Sequence, residues 1–126
     1  MFLKKVTAMA RGTLVVDECL EPLAPYLEQK NIHIIVPEKS MTDDKIIKTL
    51  LANRILVTHN VDDFKNKASS FDYGIISTSH VNIKQLDTLA NMISDAIIKY
   101  KLWSYRHGFL LTLHQDGKHK LENLTD

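Results

Sequence analysis

Short apolar runs rich in β-branched residues alternate along this chain with stretches of helical spacing, and that alternation restricts the fold more than any other feature. Leu14-Val15-Val16, Ile32-His33-Ile34-Ile35-Val36, Ile55-Leu56-Val57 and Tyr73-Gly74-Ile75-Ile76-Ser77-Thr78 are each too short for a helix, and they are mostly apolar. Runs of this kind read as strands buried on both faces. Between them, Leu20, Leu23, Ala24 and Leu27 recur at helical spacing, as do Ile46, Ile47, Leu50 and Leu51. Strand and helix in alternation imply a mainly parallel sheet covered by helices on both sides. The predicted fold class is therefore α/β, a three-layer α/β/α sandwich.

Local signals place the boundaries. Residues 13–17 form the first predicted strand, and Pro22 suits the first turn of the helix that follows. Pro37 stops the second strand. Thr42 is a good N-cap, with Asp43 and Asp44 in the first turn beside the positive helix end. Residues 54–58 form the third strand, with a short helix or loop around 61–68. The clearest helix runs from about 82 to 102, with Asn82 and Gln85 resembling a capping box. Phe109 to His114 alternates like a strand, Asp116-Gly117 is a two-residue turn signal, and Lys118 to Leu121 can return as a last strand. The chain of 126 residues then forms a single domain, 1–126. Residues 1–12 make an N-terminal extension, and 105–126 a C-terminal β-hairpin and tail.

Composition narrows the function classes. Lys and Arg number 16 and Asp and Glu 15, for a net charge of +1. No global field draws this chain to nucleic acid, so such binding needs a local patch. The best candidate is 99–120, where Lys99, Lys101, Arg106, Lys118 and Lys120 are interleaved with Trp103 and Tyr105. Cations at a helix end and a tryptophan over a core edge account for the same residues slightly better. The single Cys19 excludes an internal disulfide and a multi-cysteine zinc site. No apolar run approaches the roughly 20 residues that span a bilayer, and the first residues lack the apolar segment of a secretory signal. The expectation is a cytoplasmic protein with no membrane partner. The four glycines form no phosphate-binding loop.

Polar and acidic residues gather where the predicted strands end. Val16 runs into Asp17 and Glu18, and Val57 into Thr58, His59 and Asn60, with Asp62, Asp63 and Phe64 just beyond. In a parallel α/β sheet the carboxyl ends of the strands line the ligand crevice. Carboxylates collected there repel one another unless a cation sits among them, and a divalent metal ion is the usual one. Asp17 is a ligand candidate, or an N-cap for the helical segment after it. Glu18 points to the other side, as a supporting group behind the site or a solvated one. Asp43 and Asp44 complement the helix dipole, and one of them can also face the crevice, with the other behind it. Asn60 supplies a neutral oxygen, and it is also a favoured turn residue. Asp62 and Asp63 can cap the next segment. Thr58 can hold the loop through its hydroxyl, and His59 can touch substrate or stand exposed. The histidines show no paired ligand spacing, and no partner order recommends Cys19 as a nucleophile.

Taken together, Val15-Val16-Asp17-Glu18-Cys19-Leu20, Thr42-Asp43-Asp44-Lys45-Ile46 and Val57-Thr58-His59-Asn60-Val61-Asp62-Asp63-Phe64 resemble the motifs of PIN-like domains of the short Mut7-C/DUF5615 type. The last is also similar to the loop of PIN-fold toxin nucleases. The resemblance covers about 13–80. It implies a PIN-like α/β/α sandwich and a hydrolase that cleaves RNA with Mg²⁺ or Mn²⁺. Asp17 matches the first acidic ligand, Asp43 the helix-start acid, Asn60 the loop ligand and Asp63 the Asp-Phe pair, with Asp62 its neighbour. Thr58, His59 and Arg106 are the candidate contacts to RNA, with Glu18 and Asp44 behind the site. Many small members of the family are toxins paired with a small antitoxin protein. Asn60 stands where the short family often has Asp, which lowers the charge of the site. The alternative expectation is thus a PIN-like interaction module that binds a partner protein or nucleic acid without cleaving it. The Asp116-Gly117 turn can also serve a homodimer contact.

Overall fold

The computed structural model describes residues 12–51, 54–62, 64, 73–82, 84–104 and 108–124. Among the described residues six strands form one sheet: β1 (Thr13–Val16), β2 (His33–Ile35), β3 (Ile55–Thr58), β4 (Gly74–His80), β5 (Phe109–His114) and β6 (His119–Asn123). Their order is β2-β1-β3-β4-β5-β6. Every neighbouring pair from β2 to β5 is parallel, and β6 returns antiparallel along β5. With them pack the α-helices α1 (Ala24–Glu28), α2 (Asp43–Leu50) and α3 (Leu86–Tyr100).

Alternation along each central strand sorts its side chains into two cores. Leu14, Val16, Ile55, Val57, Ile76, Phe109, Leu111 and Leu113 pack on one face with Leu27 of α1 and with Leu89, Ala90, Ile93, Ala96 and Ile97 of α3. Val15, Leu56, Ile75 and Leu110 pack on the other with Ile46 and Ile47 of α2 and with Leu51, Phe64 and Tyr73. A strand flanked by helices on both sides has no solvent face, which is why these runs are apolar without interruption. The α/β class and the mainly parallel sheet agree with the expectation.

Local chemistry moves several boundaries. After Asp17 the chain forms a 3-10 segment over Glu18–Leu23, and Leu20 leaves helical geometry within it (φ −112°, ψ 16°). Pro25, rather than Pro22, occupies the first turn of the α-helix proper. The long helix starts at Leu86, not at 82, and its N-cap Gln85 makes no side-chain capping bond. The Oδ1 of Asn82 instead accepts the amide of Lys84 at 2.9 Å, closing a local turn before the helix begins. Lys101 ends α3 in the left-handed conformation (φ 53°). The β5–β6 connection uses four residues, not two. In it Gly117 takes a positive φ of 89° and the Asp116 carboxylate accepts the Lys118 amide. Among the described residues no helix is long and apolar enough to cross a membrane. The extension before Gly12, most of the 61–68 segment and the last two residues lie outside the described residues.

Candidate active site

In a doubly wound sheet a crevice opens at the carboxyl edge where the strand order reverses. Here β1 leads to β2 on one side and then to β3 on the other, so that point lies between β1 and β3. Asp17 follows β1 and Thr58 closes β3. Register makes them neighbours: Val16 pairs with Val57, and the Asp17 amide donates to the Val57 carbonyl at 3.0 Å.

The Asp17 carboxylate is held from two directions. Its Oδ1 accepts the amide of Glu18 at 2.9 Å, and its Oδ2 accepts the hydroxyl of Thr58 at 2.7 Å. Asp17 therefore does cap the 3-10 segment, and the same carboxylate still stands half-buried at the crevice. Thr58 is fully buried. Its oxygen also accepts the amide of Asn60 at 3.0 Å, so one hydroxyl fixes both the acid and the start of the loop. Thr58 reaches a ligand only through these partners.

The floor of the neighbouring crevice is polar and buried. His59 Nδ1 lies 3.0 Å from the Thr78 carbonyl and 3.3 Å from its hydroxyl, and that hydroxyl donates to the Thr58 carbonyl at 3.4 Å. Ser77 and Ser79 share a hydroxyl–hydroxyl bond of 2.9 Å. His59 is thus anchored by a ring nitrogen rather than swinging free. His59, Asn60, Val61, Asp62, Ser79 and His80 line a cleft of about 470 Å³ above this floor. On the 3-10 side, Glu18, Cys19, Glu21, Pro22, Pro25 and Lys39 line a second hollow of about 540 Å³. Burial, and then the negative charge of Asp17, push the Cys19 thiol above its ordinary value. The thiol is protonated and weakly nucleophilic near neutrality.

Asp43 and Asp44 lie in the first turn of α2, where the Thr42 hydroxyl accepts the amide of Lys45 at 3.2 Å. Because α2 joins parallel β2 to parallel β3, its N-terminus is on the carboxyl edge. Asp43 is half-buried and Asp44 exposed. Asp62 is exposed on the cleft, as is Asn60, and Glu18 is exposed in the second hollow. Among the described residues no group of three or more His, Cys, Asp or Glu side chains is placed to share a metal ion. Asp63 and Arg106 lie outside the described residues. In the basic stretch, Trp103 packs half-buried against the first core and would be struck by any side chain at Gly12. It serves packing.

Sequence reasoning passed over the polar end of β4 and the histidines beyond it. The available signal was a run that stays β-like through Ser77-Thr78-Ser79-His80 after its apolar residues end. Comparison with protein-family models, with curated proteins and with solved structures finds no match.

Proposed function

We propose that the chain is a PIN-like, metal-dependent endoribonuclease whose site is centred on Asp17. What carries the reading is the Asp17–Thr58 bond at the switch point of the sheet, which fixes a carboxylate where α/β folds bind ligands. The donor chemistry fits a hard divalent cation, because the candidates offer only carboxylate and amide oxygens. An ionised carboxylate has about four acceptor positions, more than the Glu18 amide and the Thr58 hydroxyl use. Asp17, Asp43 and Asn60 would hold Mg²⁺ or Mn²⁺, with Asp62 and Asp63 completing the set directly or through water. Such an ion lowers the pKa of water and offsets charge developing on a phosphodiester. The chain's own part is to fix Asp17 through Thr58, to hold the loop through the same hydroxyl, and to keep His59 beside the scissile group. Glu18 and Asp44 would act as supporting groups outside this set, and Arg106 would meet the RNA backbone. Pairing with a small antitoxin protein belongs to the same reading.

One observation favours a second reading. The described residues bring no three His, Cys, Asp or Glu side chains together, as expected of an interaction module that keeps the fold with a thinned site. Two measurements separate the readings. The nuclease reading expects Mn²⁺-dependent cleavage of single-stranded RNA that is lost in Asp17→Asn with the fold retained by circular dichroism. It also expects millimolar Mn²⁺ to raise the melting temperature, since a ligand binding only the native state stabilises it. Cleavage that persists in clean Asp17→Asn protein overturns the site. No cleavage and no thermal shift leave the interaction module.

A further inference from the structure

The cleft beside Asp17 has a feature the proposed chemistry does not use. His80 ends β4 and His114 ends β5, and their rings stack with centroids 5.1 Å apart and planes within 16°. This contact depends on an irregularity in the sheet. Ser77 pairs with Thr112 but His80 pairs with His114, so three steps along β4 match two along β5. The extra residue is a β-bulge, rare between parallel strands and common beside functional sites, where it re-aims a side chain. Strict alternation from Ile76 and Thr78 would send the His80 ring to the face of the first core. The bulge turns it to the opposite face, which His114 shares by alternation from Leu110 and Thr112, while Val81 resumes packing in the first core.

The product is a flat imidazole surface backed by a second ring, on the wall of the cleft of about 470 Å³ that also holds Asn60, Asp62 and Ser79. His80 is exposed and His114 half-buried, so the outer ring is open to a ligand and the inner one supports it. A nucleobase suits this wall: its π-face stacks on an aromatic ring and its edge meets the hydroxyl of Ser79, which leaves Asn60 and Asp62 to the proposed metal site. We infer that this cleft is a base-binding subsite for single-stranded RNA, with His80 as the stacking platform and His114 positioning it.

The inference rests on the proposed nuclease reading, but its test needs no cleavage. Binding of a fluorescein-labelled single-stranded oligoribonucleotide to the full chain is followed by anisotropy in chelator, where no metal-dependent reaction runs. Loss of one stacked base predicts about fivefold or greater weakening in His80→Ala. His80→Trp should restore binding, His114→Ala should weaken it less than His80→Ala, and replacing one nucleotide by an abasic one should abolish the difference between wild type and His80→Ala. Melting curves confirm that each variant folds. Affinity unchanged in His80→Ala, or not restored by His80→Trp in folded protein, overturns the subsite even if Asp17-dependent cleavage is found. Conversely, His80-dependent binding without cleavage upholds the subsite and removes the nuclease reading.

Discussion

A single hydroxyl organises the candidate site. Thr58 donates to Asp17, 41 residues away in sequence, and accepts from Asn60, two residues away, with no exposed surface of its own. Both groups were visible in the sequence as polar residues closing apolar runs, and Asp17 was open to being a cap or a ligand. Their bond was not visible, because it needs the β1–β3 register, which neither local propensity nor spacing encodes. Thr58→Val keeps the shape of the side chain and removes the oxygen. It removes a partner from the Asn60 amide and from one side of the Asp17 carboxylate, both within reach of water, so the loss is that of an ordinary hydrogen bond, about 0.5–1.5 kcal/mol. The midpoint of urea unfolding should fall accordingly with unchanged slope, and Asp17-dependent activity should fall with it. Thr58→Ser, which keeps the oxygen, should recover most of the activity. Wild-type behaviour in Thr58→Val would separate Asp17 from the loop.

Elements were legible where one local interaction decides them. Thr42 caps α2 as its side-chain oxygen predicts, and the limits of β5 follow its alternation. Elements were misjudged where a competing local bond decides. Asn82 closes a turn on Lys84 and delays α3, and the kink at Leu20 keeps the segment after Asp17 out of an α-helix. The bulge in β4 was hidden for a different reason: it is a property of two strands together. The start of the same strand carries a sharper constraint. Gly74 lies where an added Cβ would overlap the ring of Phe109, which is itself 1% exposed. Glycine within a strand often marks such a close approach. Gly74→Ala should therefore destabilise by about 1–3 kcal/mol, the usual cost of overpacking. Combining it with Phe109→Leu, which withdraws the ring, should cost less than the sum of the two changes. Additive losses in a double-mutant cycle would show that the contact is relieved elsewhere.

At the scale of the whole molecule, alternation of strand and helix announced a parallel sheet but not the order of its strands. The order creates the reversal between β1 and β3, and that reversal turns scattered acids into a candidate site. It also sends Phe64, just past the β3 loop, into the second core beside Tyr73, which precedes β4. The Tyr73 hydroxyl donates to the Phe64 carbonyl at 3.3 Å, so one buried side chain pins the far end of the loop that carries Asn60 and Asp62. Burial pushes the Tyr73 phenol up to about 12 from its ordinary value of 10. The unfolded chain then loses this proton at lower pH than the native state. The stabilising contribution is whole below pH 10 and disappears as pH rises through 12. At about 1.4 kcal/mol per pH unit, the loss between those limits is on the order of 2–3 kcal/mol. Tyr73→Phe removes the titration and the hydrogen bond together. It should be less stable than wild type near neutrality by about 1 kcal/mol, while its stability falls less steeply between pH 10 and 12. Denaturant unfolding of both proteins at a series of alkaline pH values reads this directly. The two stability curves should converge or cross as pH approaches 12, and parallel curves would mean that Tyr73 ionises as readily in the native state as in the unfolded chain.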